Sequence, residues 1–243
     1  MRRIEFLRTL GLLGAIPYLS FAERDAPLPI SEKDRCLGSY YEFYKQAFIA
    51  LHPKEVFQDR PDIKLRCESI QRLFQDMLDS RSENKRTQYR HSIYSRHRRS
   101  GSSLMGSVFF NAWVWLHRPD FNFLCFTKHQ SEADTQALDL AQLIDSNWYQ
   151  GLFSDSCQIK RLTKQQGDWT TVQTTKGGTR LCKFYGGVLT GYSADITVYD
   201  TVYHDFGLTE ELDNARSYYR VYSYNRLRGN GMRIFINSDE IIS

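Results

Sequence analysis

The chain has 243 residues, 41% of them hydrophobic and 25% charged, with a formal net charge of +4. That length supports one large domain or two small ones with a real core, and the profile is that of a soluble globular protein. It contains no internal repeat and no low-complexity segment. The five cysteines, Cys36, Cys67, Cys125, Cys157 and Cys182, are scattered, with no C-x-x-C pair. This pattern argues for reduced thiols in a cytoplasm and against a zinc site.

Residues 1–30 read as a separate N-terminal segment and linker, and 31–243 as one domain. Arg2 and Arg3 precede an apolar run from Leu10 to Phe21 that ends in Ser20-Phe21-Ala22. Two readings stay open, a cleaved export signal or an amphipathic N-terminal helix. The run is too short for a stable membrane span, and no other run is longer, so stable membrane insertion is not expected. The location expected is the cytoplasm of a host cell, or outside it if residues 1–22 are cleaved.

Pro27, Pro29 and Ser31 form a short linker. Asp34 is placed as the cap of a helix running to about Leu51, with Tyr40, Phe43, Phe48 and Leu51 as its apolar stripe. Pro61 suits a first helical position, and Ile63, Cys67, Ile70, Leu73, Phe74 and Leu78 follow at helical spacing. From Arg81 to Arg99 there are seven Lys/Arg against one acid, Glu83. That run is either a solvated loop or a surface for phosphate or nucleic acid.

His91–Ser95 reads as a short strand. A polar turn centred on Gly101 follows, then an apolar helix over 103–116. Strand, small-residue loop and helix is the layout that cradles phosphate, because free backbone N–H groups and the positive helix end face the anion. On spacing alone, a Ser/Gly turn before a buried helix is more often a plain connector.

Phe121–Thr127 is dense enough for a buried strand. Ser131 with Asp134 starts a helix whose face is Ala133, Ala137, Leu140, Ala141 and Ile144. Cys157–Lys160, Trp169–Gln173 and Thr179–Phe184 read as short strands, with Lys176-Gly177-Gly178 a hairpin turn. Gly186, Gly187 and Gly191 mark a flexible loop before the strand Ile196–Tyr199, which ends at Asp200. An acid at the carboxyl end of a buried strand sits where open α/β sheets bind ligands. Thr209 opens a further helix, and Met232–Ile236 is the last strand. The alternation predicts an α/β fold with a largely parallel central sheet flanked by helices.

In this order, SGSSLMGSVFFNAWVWLHRPD (100–120), SNWYQGLF (146–153) and TKGGTRL…GGVLTGYSADITVYD (175–200) resemble the ATPase domain of the phage terminase large subunit, the DNA-packaging motor. The resemblance runs from about residue 38 to 238. It implies a P-loop NTPase-like sheet, ATP and Mg2+ as cofactors, and ATP-driven packaging of double-stranded DNA. It also implies a portal, a small terminase subunit and a homo-oligomeric ring as partners. By position, Arg99 matches the arginine before the phosphate loop, and Gly101 and Ser103 match the loop glycine and the magnesium-binding hydroxyl. Asp200 matches the Walker B aspartate, and Ser238 lies near the coupling motif. Arg98, Arg99, Ser100, Gly101, Ser102 and Ser103 would then contact the nucleotide, and Arg99, Asp200 and Ser238 would serve catalysis. Asp195, in the loop before Walker B, reads as a structural hydrogen-bonding acid.

The chain shows three departures from the family. Ser102 replaces the phosphate-binding lysine, Thr201 replaces the second acid, and Tyr192-Ser193 replaces an arginine and a glycine. Losing a charge-assisted phosphate contact weakens binding by roughly 1.5–3 kcal/mol, about one to two decades. Losing a donor to the transition state slows turnover about 10²–10³-fold. Arg98 or Arg99 could supply part of the missing charge, and His204 or Asp205 part of the acid. The expectation is a preserved fold with weak or lost hydrolysis and no nuclease domain. The alternative is a non-catalytic module that binds nucleic acid or a partner through residues 81–99.

Overall fold

A computed structural model describes residues 30–83, 89–93, 101–155, 158–165, 169–184, 191–200, 213–214, 217–218 and 226–236. Residues 32–243 form one compact unit. The expected helix over 34–51 is in fact two, α1 (Glu32–Gly38) and α2 (Tyr40–Leu51). Asp34 lies inside the first turn of α1 and not at the start of α2. The cap is Ser39, which is extended at φ −139° and whose Oγ accepts the Glu42 N–H at 3.3 Å. A serine followed three residues on by a glutamate is a capping-box pattern, and the apolar stripe from Tyr40 to Leu51 begins just after it.

Helix α3 (Pro61–Ser82) begins with its proline, where no N–H is missed. It buries Ile63, Cys67, Ile70, Phe74 and Met77. The apolar segment after Gly101 is helical from residue 102 and opens with a π-helical stretch, Leu104–Phe109, that runs into α4 (Phe110–His117). Helix α5 (Gln130–Ile144) starts one residue before Ser131. Its N-terminus is closed by Glu132, whose carboxylate accepts the His129 N–H at 3.3 Å, and not by a Ser131–Asp134 pair. Helix α6 (Asn147–Phe153) is capped by Ser146, whose Oγ accepts from the Tyr149 N–H at 3.2 Å.

Among the described residues seven strands form one sheet: β1 (Tyr89–Ile93), β2 (Asn122–Thr127), β3 (Ile159–Gln165), β4 (Trp169–Thr174), β5 (Thr179–Phe184), β6 (Ala194–Asp200) and β7 (Leu227–Ile236). Their spatial order is β1-β7-β6-β2-β5-β4-β3. The neighbours from β1 through β5 are parallel, while β3, β4 and β5 are antiparallel. The fold is therefore α/β with a mostly parallel sheet, as the sequence alternation implies. The hairpin between β4 and β5 turns at Gly177, with φ +94°.

Register divides the sheet into two faces. Ile93, Ile236, Asp200 and Thr127 stand in one row, and Ile234, Val198, Cys125 and Cys182 stand two residues below them. This face carries the main core with the helices, including Phe74, Phe110, Trp113 and Trp115. The contact is close: a Cβ on Gly106 would lie 2.7 Å from Ile236 Cδ1. On the opposite face Phe126, Tyr199 and Phe235 stack across three strands with centroids 5.2 and 4.9 Å apart. The Arg90 guanidinium lies 4.5 Å from the Phe235 ring centroid.

Candidate functional site

The site is built where the helix after Gly101 meets the carboxyl end of β6. Gly101 has φ +76°, a conformation that favours glycine, and a Cβ there would meet the Tyr44 hydroxyl at 3.0 Å. The turn thus brings the helix start against α2 while Ser103 faces the sheet. Ser103 Oγ donates to Asp200 Oδ1 at 3.0 Å, across 97 residues of sequence. Ser107 Oγ and Gln136 Nε2 donate to Asp200 Oδ2 at 2.8 and 2.7 Å. Asp200 is 2% exposed, so these bonds occur in a largely dry setting.

The network continues inward. Gln136 Oε1 accepts from Arg180 Nη2 at 2.8 Å, and Asn111 Oδ1 accepts from Arg180 Nε at 3.1 Å. Arg180 is fully buried on β5. Burial opposes its charge, but Cys125, Cys182 and the Asp200 carboxylate outweigh that and hold its pKa above the ordinary value. Burial pushes the Cys182 thiol up to about 12 and also raises Cys125.

Beside Asp200 lies a cavity of about 300 Å³ lined by Ser103, Leu104, Val108, Glu132, Thr135 and Asp139, among others. Its wall from α5 is acidic, and burial raises the Asp139 pKa. Ser103 and Asp200 therefore meet as the sequence expects, and Gly101 supplies the turn. Ser102, at the place of the lysine, is buried at 4% exposure, so a lysine there would have to leave the position the serine occupies. Arg98, Arg99, Ser100, Thr201, His204, Asp205 and Ser238 lie outside the described residues, as do Gly186, Gly187 and Thr190.

Asp195 is 1% exposed in its side chain and pairs with Arg81 at 2.9 Å and Arg228 at 3.0 Å. Its second oxygen also accepts the Asn122 N–H at 2.9 Å. It ties the sheet to α3, the structural role its position suggests. Arg81 further donates to the Asn230 carbonyl at 2.7 Å, so this cation of the 81–99 run is committed to the fold. The remaining members of that run, Arg90 apart, lie outside the described residues.

Ser107, Asn111, Gln136 and Arg180 carry no motif. The signal for the first two was a polar residue every fourth place in an otherwise apolar helix: Ser103, Ser107, Asn111. In an α-helix such residues drift by about 40° per step. The wider π turn at Leu104–Phe109 reduces that drift and turns the polar stripe onto Asp200.

The oxygen-only set of Ser103 and Asp200 beside a cavity suits Mg2+, which takes one or two protein ligands and keeps waters. No group of three His, Cys, Asp or Glu ligands occurs among the described residues. For a nucleotide the fit is partial: backbone N–H groups at the helix start are present, and the lysine is not. No helix among the described residues is long and apolar enough to cross a membrane. No protein-family model, curated protein or solved structure matches the chain.

Proposed function

We propose that the chain is a P-loop-type nucleotide-binding domain related to the ATPase domain of phage terminase large subunits. It would bind magnesium-nucleotide and hydrolyse it poorly or not at all, in or alongside the packaging of double-stranded DNA. The observation that carries this reading is the 3.0 Å bond between Ser103 and Asp200. A strand, a glycine turn and a helix start place a hydroxyl against a carboxylate at the tip of a parallel strand. The reading also draws on strand order, because β7 lies between the loop's own strand β1 and the Asp200 strand β6.

When bound, Mg2+ would neutralise phosphate charge at the Ser103–Asp200 edge of the cavity. The chain's own residues do the rest: Gly101 shapes the turn, helix N–H groups face the anion, and Ser107 and Gln136 hold Asp200 in place. Titration with a fluorescent ATP analogue, with Mg2+ and with EDTA, tests the reading. Saturable, magnesium-dependent binding that weakens about tenfold or more in Asp200→Ala and Ser103→Ala is expected. Phosphate release should run about 10²–10³-fold below that of a lysine-bearing P-loop ATPase. No saturable binding, or binding indifferent to Asp200→Ala, removes the proposal.

A further inference from the structure

We infer that Arg180 is a positioning residue for Asp200, acting across the core through the Gln136 amide. This rests on the nucleotide reading only for its consequence in metal binding; the relay itself stands on geometry. Arg180 pairs in register with Phe123, which pairs with Ile196, four residues below Asp200 on β6. At about 3.3 Å per residue that is roughly 13 Å along the strand, so Arg180 and Asp200 start far apart. Gln136 on α5 spans the gap. Its Oε1 takes the Arg180 Nη2 proton at 2.8 Å while its Nε2 donates to Asp200 Oδ2 at 2.7 Å.

An amide has one accepting end and one donating end. Arg180 can only donate, and Asp200 as a carboxylate can only accept. The two together fix the Gln136 amide in one sense and prevent it from turning its oxygen toward Asp200. Asn111, 0% exposed, does the matching work on Arg180 by accepting from Nε at 3.1 Å. Arg180 Nη1 and Asn111 Nδ2 find no hydrogen-bond partner among the described residues. A core built for stability alone would place apolar side chains here at no such cost.

Partners that orient a metal-ligating group from outside the first layer typically change metal affinity about 10–100-fold when removed. The test uses the full chain and Arg180→Lys, which keeps the charge but loses the two-way fork, alongside Arg180→Met and Gln136→Leu. The first readout is the Gln136 side-chain amide resonance by nitrogen-edited NMR, assigned with Gln136→Leu. It should be protected from solvent exchange in the native chain. It should shift in Asp200→Asn, where a neutral amide oxygen replaces the carboxylate as acceptor, and shift and lose protection in Arg180→Lys, with the chain still folded by circular dichroism. The second readout is the ratio of nucleotide-analogue affinity in Mg2+ to that in EDTA. This ratio should fall about tenfold or more in Gln136→Leu and Arg180→Lys.

If the Gln136 resonance is the same in Arg180→Lys as in the native chain, the relay is overturned. So too if the native chain shows a magnesium-dependent gain that Gln136→Leu and Arg180→Lys leave intact. If the native chain shows no magnesium-dependent binding, the nucleotide reading falls, and the resonance alone decides the relay. Should Arg180→Met fail to fold, Arg180→Lys carries the same comparison.

Discussion

Asp200→Asn removes a charge and almost no volume, which makes it the sharpest probe of the buried network. Oδ2 accepts from both Ser107 and Gln136, so the asparagine must place its oxygen there. Its Nδ2 then faces Ser103 Oγ, now 3.0 Å from Oδ1, and that hydroxyl can rotate to accept. Packing and bond count survive, while three charge-assisted bonds become neutral ones. A charge-assisted bond contributes about 1.5–3 kcal/mol and a neutral one about 1. Relief of carboxylate desolvation offsets part of that difference, and the loss of an anion near buried Arg180 adds to it. The balance is a destabilisation of about 2–3 kcal/mol. For a chain of this size each kcal/mol lowers Tm by about 2–4 °C, so the midpoint should fall by roughly 4–12 °C. Calorimetry and urea unfolding followed by tryptophan fluorescence read it directly. The double variant Asp200→Asn/Arg180→Met should cost less than the sum of its parts, because each change strands the other's partner. An unchanged or raised midpoint in Asp200→Asn, or strict additivity in the pair, would show that the network contributes nothing and refute the argument.

Other perturbations probe the frame around it. Gly106→Ala brings a methyl within 2.7 Å of Ile236 Cδ1 and 3.3 Å of Ile93 Cδ1, but those are side-chain ends that can shift. The helix propensity gained, about 1 kcal/mol, then nearly cancels the crowding. Gly106→Val has no such room and should lose about 1–3 kcal/mol in urea unfolding. Asp195→Ala strips Arg81, Arg228 and the Asn122 N–H of one shared acceptor and should cost about 2–3 kcal/mol, less than a fully buried pair because the Arg228 side chain is 48% exposed. Burial lowers the pKa of His91, and burial, opposed in part by a backbone bond to Leu37, lowers that of His117, both from 6.5. Each folded-state pKa therefore lies below its unfolded value. Their contribution is fully present above pH 6.5 and is lost as pH falls through the folded value, with a slope of up to about 1.4 kcal/mol per pH unit for each. His91→Gln/His117→Gln should flatten the acid limb of a stability–pH curve; an unchanged limb would assign it to other groups.

The parallel sheet was legible because its strands are short apolar runs separated by helical periodicity, and Thr179–Phe184 has the same bounds in both accounts. Elements whose boundaries rest on capping were read less well. The apolar stripe from Tyr40 to Leu51 lies wholly within α2 and says nothing of where that helix begins; Gly38, Ser39 and Glu42 mark the break after α1. At the site, Ser103 and Asp200 came from a family likeness of loop and strand order. Their partners could not come that way. Gln136 lies among Ala133, Ala137, Leu140 and Ala141 on a face that reads as plain core. Arg180 alternates with apolar residues on a strand, where a solvent-facing arginine looks the same in sequence as one facing inward. What distinguishes them is pairing across three elements, and no local pattern records it.

The charge around the cavity decides which form of a nucleotide the proposed site would accept. Among the described residues Asp200, Glu132 and Asp139 line it, and no described Lys or Arg does. A bare triphosphate placed there would meet carboxylates, one of which, Asp139, already resists ionisation because of burial. A magnesium-loaded phosphate reverses the sign of that encounter. At a separation of about 7 Å and an effective dielectric near 20, each neutralised carboxylate relieves roughly 1–2 kcal/mol after screening. Glu132→Gln and Asp139→Asn should therefore each strengthen metal-free binding of the nucleotide analogue by about 5–30-fold while changing the Mg2+ value much less. Asp139→Asn should also raise stability at pH 7, because its folded pKa lies above the unfolded one and the ionised form is the disfavoured one. Equal effects with and without Mg2+ would mean that the phosphates do not lie against the acidic wall, and would move the nucleotide to another face of the Gly101 turn.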